Sequence, residues 1–328
     1  MASVSVVIDN YNYGRFLGQA VESVLDQDFK GEVECIVVDD GSTDESRRVL
    51  ASFGGRVRAV LQANQGQAMA FNNGFAAATG EFVGLLDADD YWRPTKLSRV
   101  IPLFEDAGVG VVEHFLQDVD ARGADLPQYF PLWPPSYSLD DFLDRRVELG
   151  ATSGLVFRKT VLDQVLPIPK GMSYYFDDLL VVKSLLLSRL VNLPERLGLR
   201  RLHDSNLCAA GRQYGSPRNL ELDMRMRDLF NSEIDPLLAR RNLRRTDRYL
   251  AEEELEYMRR RILLHMLRGE RGRAFNEWLG MLRKHGGRRL GLFRCATCLA
   301  ALVSPGLYLR AYDAYRGRRL LKPASSDS

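Results

Sequence analysis

Three of the four apolar runs in the first part of the chain end in aspartate, and this constrains the fold more than any other feature. The three are VSVVI (4–8), followed by DNYN; ECIVVD (34–39), leading into DDGSTD (39–44); and FVGLL (82–86), followed by DADD. The fourth, VRAVL (57–61), lies between the last two. All four are continuously apolar instead of alternating, as strands are when helices cover both faces of their sheet. Helical patterns at about 15–27, 43–53 and 66–78 separate them. This βαβαβαβ order predicts an α/β protein with a mostly parallel, right-handed, doubly wound sheet. Ligands of such sheets sit beyond the carboxyl ends of the strands. Carboxylates gathered there repel one another unless a cation or a hydrogen-bonding ligand offsets the repulsion.

The remainder divides by composition. Residues 122–137 are rich in proline and aromatics and read as a surface loop over the site. Mixed α/β structure resumes over 150–202, with GLVF as a strand and FDDLLVVKSLLL as the start of a helix. Beyond about 215 the pattern is almost wholly helical, with polar faces rich in arginine and glutamate. A length of 328 residues suffices for one catalytic domain and a helical C-terminal extension. A net charge of +2 offers no argument for a nucleic-acid partner. The four cysteines (35, 208, 295 and 298) are too few for a disulfide framework, and the Cys295–Cys298 CxxC reads as helix packing. The opening MASVSVVIDN runs directly into a strand with no leader pattern, so a reducing, cytoplasmic compartment is expected.

Three acidic motifs suggest chemistry. In extended backbone, Asp87 and Asp89 project to one side, and their oxygens suit Mg²⁺ or Mn²⁺. A plain helix cap would also explain them, because DDYWRPTKL leads into a helix. In Asp39-Asp40-Gly41-Ser42-Thr43-Asp44 the second half makes a strand–turn–helix junction. The doubled aspartate is surplus to that junction. One carboxylate could accept a nucleobase imide N–H, and the residues alone do not choose between Asp39 and Asp40. Asp177 and Asp178 open a helix, where the dipole favours acids with or without a catalytic duty.

Six segments together carry a resemblance: VSVVIDNYNYGRFLGQAVESVLDQ (4–27), CIVVDDGSTDES (35–46), NQGQAMAFNNGFAAATGEFVGLLDADD (64–90), GLVFRKTVL (154–162), FDDLL (176–180) and RRLHDSNL (200–207). In this order they resemble the family 2 glycosyltransferases of GT-A (Rossmann-like) fold. The resemblance implies a catalytic domain over 1–212, with a nucleotide-sugar half to about 118 and an acceptor half from about 119. It implies an inverting, metal-dependent transfer of a hexosyl or N-acetylhexosaminyl group from a nucleotide sugar, UDP by default, to an acceptor hydroxyl. Cell-surface polysaccharide or glycoconjugate synthesis is the expected setting. Asn10, Tyr11, Asp39, Asp40, Asn64, Gly66, Asn72, Asp87 and His203 would serve the donor. Asp89, with Asp87, would hold Mn²⁺ or Mg²⁺, and Asp178, beside Asp177, would be the general base.

Departures from the family pattern are Asp9, a loop residue where proline is frequent; Phe71, where many members carry arginine; and Asp177 in place of glutamate. The region 213–328 is expected to be helical. Its segment 288–321, with Arg288, Arg289, Arg294, Arg310, Arg316, Arg318 and Arg319, suits either a membrane surface or a packed hairpin. The first alternative would bring a peripheral place on the cytoplasmic face and a lipid-linked saccharide acceptor. Two other functions fit less well. A sugar-nucleotide nucleotidyltransferase should show a Gly-rich basic loop after its first strand, and a non-catalytic relative has no need of Asp87, Asp89 and Asp178 together.

Overall fold

In the computed structural model, residues 1–128, 133–203, 206, 216–287, 289–306 and 308 are described. The chain divides into two compact units. The first comprises 1–128, 133–142 and 146–202, and the second carries the residues from His203 onward with Leu143–Arg145.

The first unit opens as β1 (Ser3–Asn10), α1 (Gly14–Leu25), β2 (Glu32–Asp40), α2 (Ser46–Phe53), β3 (Arg58–Gln62), α3 (Gln67–Ala77) and β4 (Phe82–Asp87). These four strands pair in parallel in the order β3-β2-β1-β4. Helix α1 turns Leu17, Ala20, Val21 and Val24 into the core, spaced three and four apart as a helical stripe requires. Helix α3 approaches the sheet closely at Gly74, where a methyl group would lie 2.2 Å from Val7 Cγ1.

The sheet continues with β5 (Tyr91–Trp92), α4 (Lys96–Val100), β6 (Val109–Val119), β7 (Ser136–Tyr137), α5 (Leu139–Leu143), β8 (Leu155–Arg158), α6 (Lys159–Val165), α7 (Phe176–Leu185) and β9 (Arg189–Arg201). Strand order is β3-β2-β1-β4-β8-β6-β9-β5, with β7 added beside β9. β8 is antiparallel to both neighbours, whereas β6 and β9 run parallel. This is the expected doubly wound α/β sheet, with antiparallel strands confined to the half that begins at β8.

Two details differ from the sequence reading. β1 does not stop at Ile8, because parallel pairing continues to Asp9 with β4 and to Asn10 with β2. Asp9 is therefore a strand residue in register with Asp87, and not a loop residue. The long strands β6 and β9 were not anticipated. β6 is apolar but interrupted by Glu113 and His114, and β9 carries a proline and several arginines.

The second unit contains α8 (Pro217–Ala239), α9 (Asp247–Leu267), α10 (Arg271–His285) and α11 (Arg289–Val303). Hydroxyl caps start the first two: Ser216 Oγ accepts from Asn219 N and Thr246 Oγ1 from Tyr249 N, each at 3.2 Å. Leu255, Ile262, Met266, Ala274 and Met281 pack around Cys295 and Cys298. The CxxC is thus a packing feature of two free thiols, and burial pushes Cys298 up to about 12. Burial alone would raise Glu256, but Arg259, Arg294 and Arg260 outweigh it and hold the carboxyl at about 2. Among the described residues no helix is long and apolar enough to cross a membrane. Arg294, one of the arginines of 288–321, pairs with Glu256 at 2.8 Å. Arg288, Arg310, Arg316, Arg318 and Arg319, like Cys208, lie outside the described residues.

Candidate active site

The acids gather where β1 and β4 end side by side. Asp90 N donates to Asp87 O at 3.0 Å, and Ala88 N to Asp9 O at 3.2 Å, which folds the DADD turn back over the end of β1. Asp87, Asp89 and Asp90 each offer an oxygen within 4.8 Å of the others. Gln67 Nε2 donates to Asp87 Oδ1 at 3.0 Å from the first residue of α3. Asp90 is held on both oxygens, by Arg201 N at 2.9 Å and by Ser153 Oγ at 2.7 Å. Arg201 Nε also donates to Asp89 O, at 3.0 Å.

Three acids in this cluster hold a proton more tightly than an ordinary carboxylate. Burial, then the charge of Asp89, pushes Asp9 up to about 7, and the same two causes act on Asp90, also to about 7. Asp87 is driven well above the usual carboxylate range by burial and then by Asp9, Asp90 and Asp89. The Tyr13 phenol is raised by burial and next by Asp89, Asp87 and Asp9, which places it beside the same cluster. Asp9 Oδ1 is buried without a hydrogen-bond partner. An oxygen-only donor set, crowded with like charge and holding a spare acceptor, fits a hard divalent cation. The sequence pointed to Asp87 and Asp89. Asp9 was visible only as a strand-end acid, and Asp90, Gln67 and Tyr13 enter through tertiary juxtaposition, although three acids in four residues were a signal for Asp90.

The end of β2 forms a second polar station. Asn10 Nδ2 donates to Asp39 Oδ1 at 2.9 Å and to Ser42 Oγ at 3.1 Å, and Arg47 Nε donates to Asp39 Oδ2 at 3.2 Å. Asp40 spends its carboxylate on the segment leading into α3. Oδ1 accepts from Gln62 Nε2 and Gln65 N, and Oδ2 from Gly66 N, all at 2.7 Å. An ionised carboxylate has about four acceptor sites, so Asp40 retains little capacity for a ligand. Gly41 turns the chain with φ +77°, and a methyl group there would meet Asn64 N at 2.8 Å. Tyr11 is 46% exposed, and Asn64 and Gly66 are exposed nearby in sequence to this station.

Two residues of α3 pack towards the segment that leads into α7. Asn72 clamps the backbone of Ile168, donating to its O at 2.8 Å and accepting from its N at 2.9 Å. Its amide is committed to packing α3 against the segment before α7. Phe71, at the position where arginine is frequent, is fully buried and packs on Phe75 and Phe176, with ring centroids 5.7 and 5.2 Å away.

The start of α7 supplies the third station. Tyr175, with φ +63°, turns the chain into the helix, whose first turn carries Asp177 and Asp178. Asp177 Oδ2 accepts from Thr152 Oγ1 at 2.9 Å, and Oδ1 from Asp178 N at 3.0 Å. Burial raises Asp177. On β6, Glu113 is wholly buried; Gly150 N donates to Oε1, and Oε2 has no partner. Burial, and the charges of Asp178 and Asp177, drive it well above the usual range in spite of the Gly150 bond. The Trp133 ring lies 4.3 Å from that of Phe115, and its Nε1 is also buried and unpartnered. His203 belongs to the second unit, where its amide donates to Asn206 Oδ1 at 2.5 Å. Asp204 and Ser205, which follow it in the chain, lie outside the described residues.

The chain is similar to known glycosyltransferases in sequence and in fold. The sequence model of glycosyl transferase family 2 matches residues 5–166. An uncharacterized glycosyltransferase of Nostoc sp. is 38% identical over 214 residues, or 62% of this chain and 66% of that protein. Glycosyltransferase GlyG of Streptococcus pneumoniae is 35% identical over 113 residues, 33% of this chain and 37% of its own. The chain thus aligns with less than two-thirds of the length of these relatives. Among solved structures, S. aureus TarS 1-349 in complex with UDP-GlcNAc gives a TM-score of 0.54 at 17% identity, covering 96% of this chain and 92% of that one. The mannosyltransferase PcManGT of Pyrobaculum calidifontis, in complex with GDP-Man and Mn²⁺, gives 0.53 at 18% identity, covering 95% and 83%. The fold is that of the GT-A glycosyltransferases. Residues 5–166 are those of a glycosyl transferase family 2 domain.

Proposed function

We propose that this protein is an inverting, metal-dependent glycosyltransferase that moves a sugar from a nucleotide-sugar donor to the hydroxyl of a saccharide or lipid-linked saccharide. The observation that carries this reading is the cluster of Asp9, Asp87, Asp89 and Asp90 at the paired ends of β1 and β4, crowded enough to favour protonation and still holding an unpartnered buried oxygen. Asp89 and Asp87 would hold Mn²⁺ or Mg²⁺, with Asp90 beside them. When bound, the ion neutralises charge on the departing nucleoside diphosphate. Asn10, Tyr11, Asp39 and Asp40 serve the base, Asp40 chiefly by fixing Gln65 and Gly66. Asp178 takes the proton of the acceptor hydroxyl as its oxygen attacks the anomeric carbon and the glycosidic bond to the diphosphate breaks. Asp177, anchored by Thr152, holds the start of α7 in place. His203 is a further donor contact, toward the diphosphate.

A UDP-sugar is the favoured donor. The imide edge of uracil matches an acceptor at the end of β2, and TarS binds UDP-GlcNAc. GDP-Man, bound by PcManGT, is the principal competitor. Synthesis of a surface polysaccharide or glycoconjugate at the cytoplasmic face of the membrane is the proposed setting, with 1–212 as catalytic domain and 213–328 as helical extension. The test is a thermal-shift panel of UDP-, dTDP-, GDP- and ADP-sugars with Mn²⁺ or with EDTA. A donor present at a hundred times its dissociation constant adds about 2.7 kcal/mol. A shift with one nucleotide class, requiring metal and lost in Asp89→Ala, is expected. No shift with any donor would overturn the reading.

A further inference from the structure

The two acidic stations lie far apart in sequence, yet a single turn touches both. Thr152 and Ser153 stand in the short 3-10 turn Thr152–Gly154 that leads into β8, the strand inserted between β4 and β6. Ser153 Oγ accepts from Asp87 N at 3.1 Å and donates to Asp90 Oδ2 at 2.7 Å. With its one proton committed to Asp90, the hydroxyl has a fixed direction. The next residue back, Thr152, donates its hydroxyl to Asp177 Oδ2 at 2.9 Å.

The turn is itself immobilised from below. Ser153 O accepts from Trp92 Nε1 at 2.9 Å and from Lys96 Nζ at 3.0 Å. Lys96 Nζ rests 3.3 Å from the centre of the Trp92 ring, and the lysine is fully buried. Gly154 lies so close to β6 that a methyl group would stand 2.8 Å from His114 O. Thr152 is 6% exposed and Ser153 not at all. No capping or ladder role accounts for two adjacent hydroxyls that both end on acids of the candidate site.

We infer that Thr152 and Ser153 are positioning residues that hold the proton-accepting end of α7 in register with the cation-binding turn after β4. The inference deepens the proposed function and rests on it. Displacement transfer needs the base and the leaving group on opposite sides of one carbon, and an error of about 1 Å there costs on the order of 10²-fold in rate. A hydroxyl on each side of one rigid peptide sets that separation.

The experiment compares the full-length protein with Thr152→Val, Thr152→Ser and Ser153→Ala. It measures transfer kcat, donor Kd, the Mn²⁺ concentration for half-maximal rate, and Tm. Thr152→Val should lower kcat about 10- to 100-fold with donor Kd and Mn²⁺ requirement unchanged, and Thr152→Ser should restore it. Ser153→Ala should raise the Mn²⁺ requirement at least several-fold. Wild-type kcat in Thr152→Val overturns the inference, as does a loss that Thr152→Ser does not rescue. Should Ser153→Ala fail to fold, the two threonine variants decide alone. The wild type, assayed in parallel, separates the two levels: without metal-dependent turnover the proposed function fails, whereas an active wild type with unmoved variants sinks only this inference.

Discussion

Asp177 and Asp178 are neighbours to which the proposed reaction gives different duties. Asp177 accepts on one oxygen from Thr152 and on the other from the amide of Asp178. A group fixed in this way orients a helix start, whereas Asp178 is the base of the proposed reaction. Asp178→Asn should therefore lower transfer kcat by about 10²–10⁴-fold, with donor Kd by calorimetry unchanged. Glu113 makes a contrasting case. Its folded pKa lies above its unfolded one, so the folded state holds the proton more tightly. The stability this provides is complete below the unfolded pKa and is lost as pH rises towards the folded value. Urea midpoints should thus fall between pH 5 and pH 8 in the wild type and fall less in Glu113→Gln. At this scale the sequence singled out Asp87 and Asp89 by their place at the end of an apolar run, and Asp178 by the family resemblance. Ser153 was hidden, since its partner Asp90 lies more than sixty residues away, and Asp9, visible as a strand-end acid, was not seen to be in register with Asp87.

At the scale of elements, β2 and α3 communicate through Asp40. Its three accepted hydrogen bonds fix the chain from Gln62 to Gly66 before the helix begins. Asp40→Asn would set an NH₂ against donors and forfeit charge-assisted bonds worth about 1.5–3 kcal/mol each. A drop in urea-unfolding free energy of about 2 kcal/mol, with weaker donor binding, is the expected outcome. The parallel strands β1 to β4 were legible because unbroken apolar runs alternate with helical stretches. β6 and β9 were not. Burial in the sheet overrides the propensities of Glu113 and His114, exposed Pro194 sits where the β6–β9 register shifts, and nothing local to either run announces that the two will pair with each other.

At the scale of the whole chain, each unit has its own means of burying charge. In the helical unit Asp223 is wholly buried against Arg260 at 2.5 Å, with Arg227 at 3.9 Å. Removing one partner strands the other in a water-poor interior, a loss of about 3–5 kcal/mol. Asp223→Asn should lower hydrogen-exchange protection in α8 and α9 while leaving that of β1, β2 and β4 unaltered. Equal loss in both units would show that they unfold together. The helical character of this region was plain from its composition. Its arginines were harder to assign, because a face of like residues reads the same whether it meets lipid, solvent or glutamate, and only the pairing of Arg294 with Glu256 distinguishes them at that position.

Lys96 has a consequence of another kind. Its amine sits against the Trp92 ring and the Ser153 carbonyl, wholly shielded, and burial drives it well below the usual lysine range. Uncharged amines are the form that reacts with acylating reagents, so among the described lysines this one is chemically the readiest and physically the least reachable. Under a pulse of such a reagent, exposed Lys30 and Lys170 should modify at once, whereas Lys96 should modify only as fast as the sheet opens around it. Read by mass spectrometry, that single side chain becomes a clock for how often the unit carrying the acidic cluster comes apart, and a bound donor should slow it.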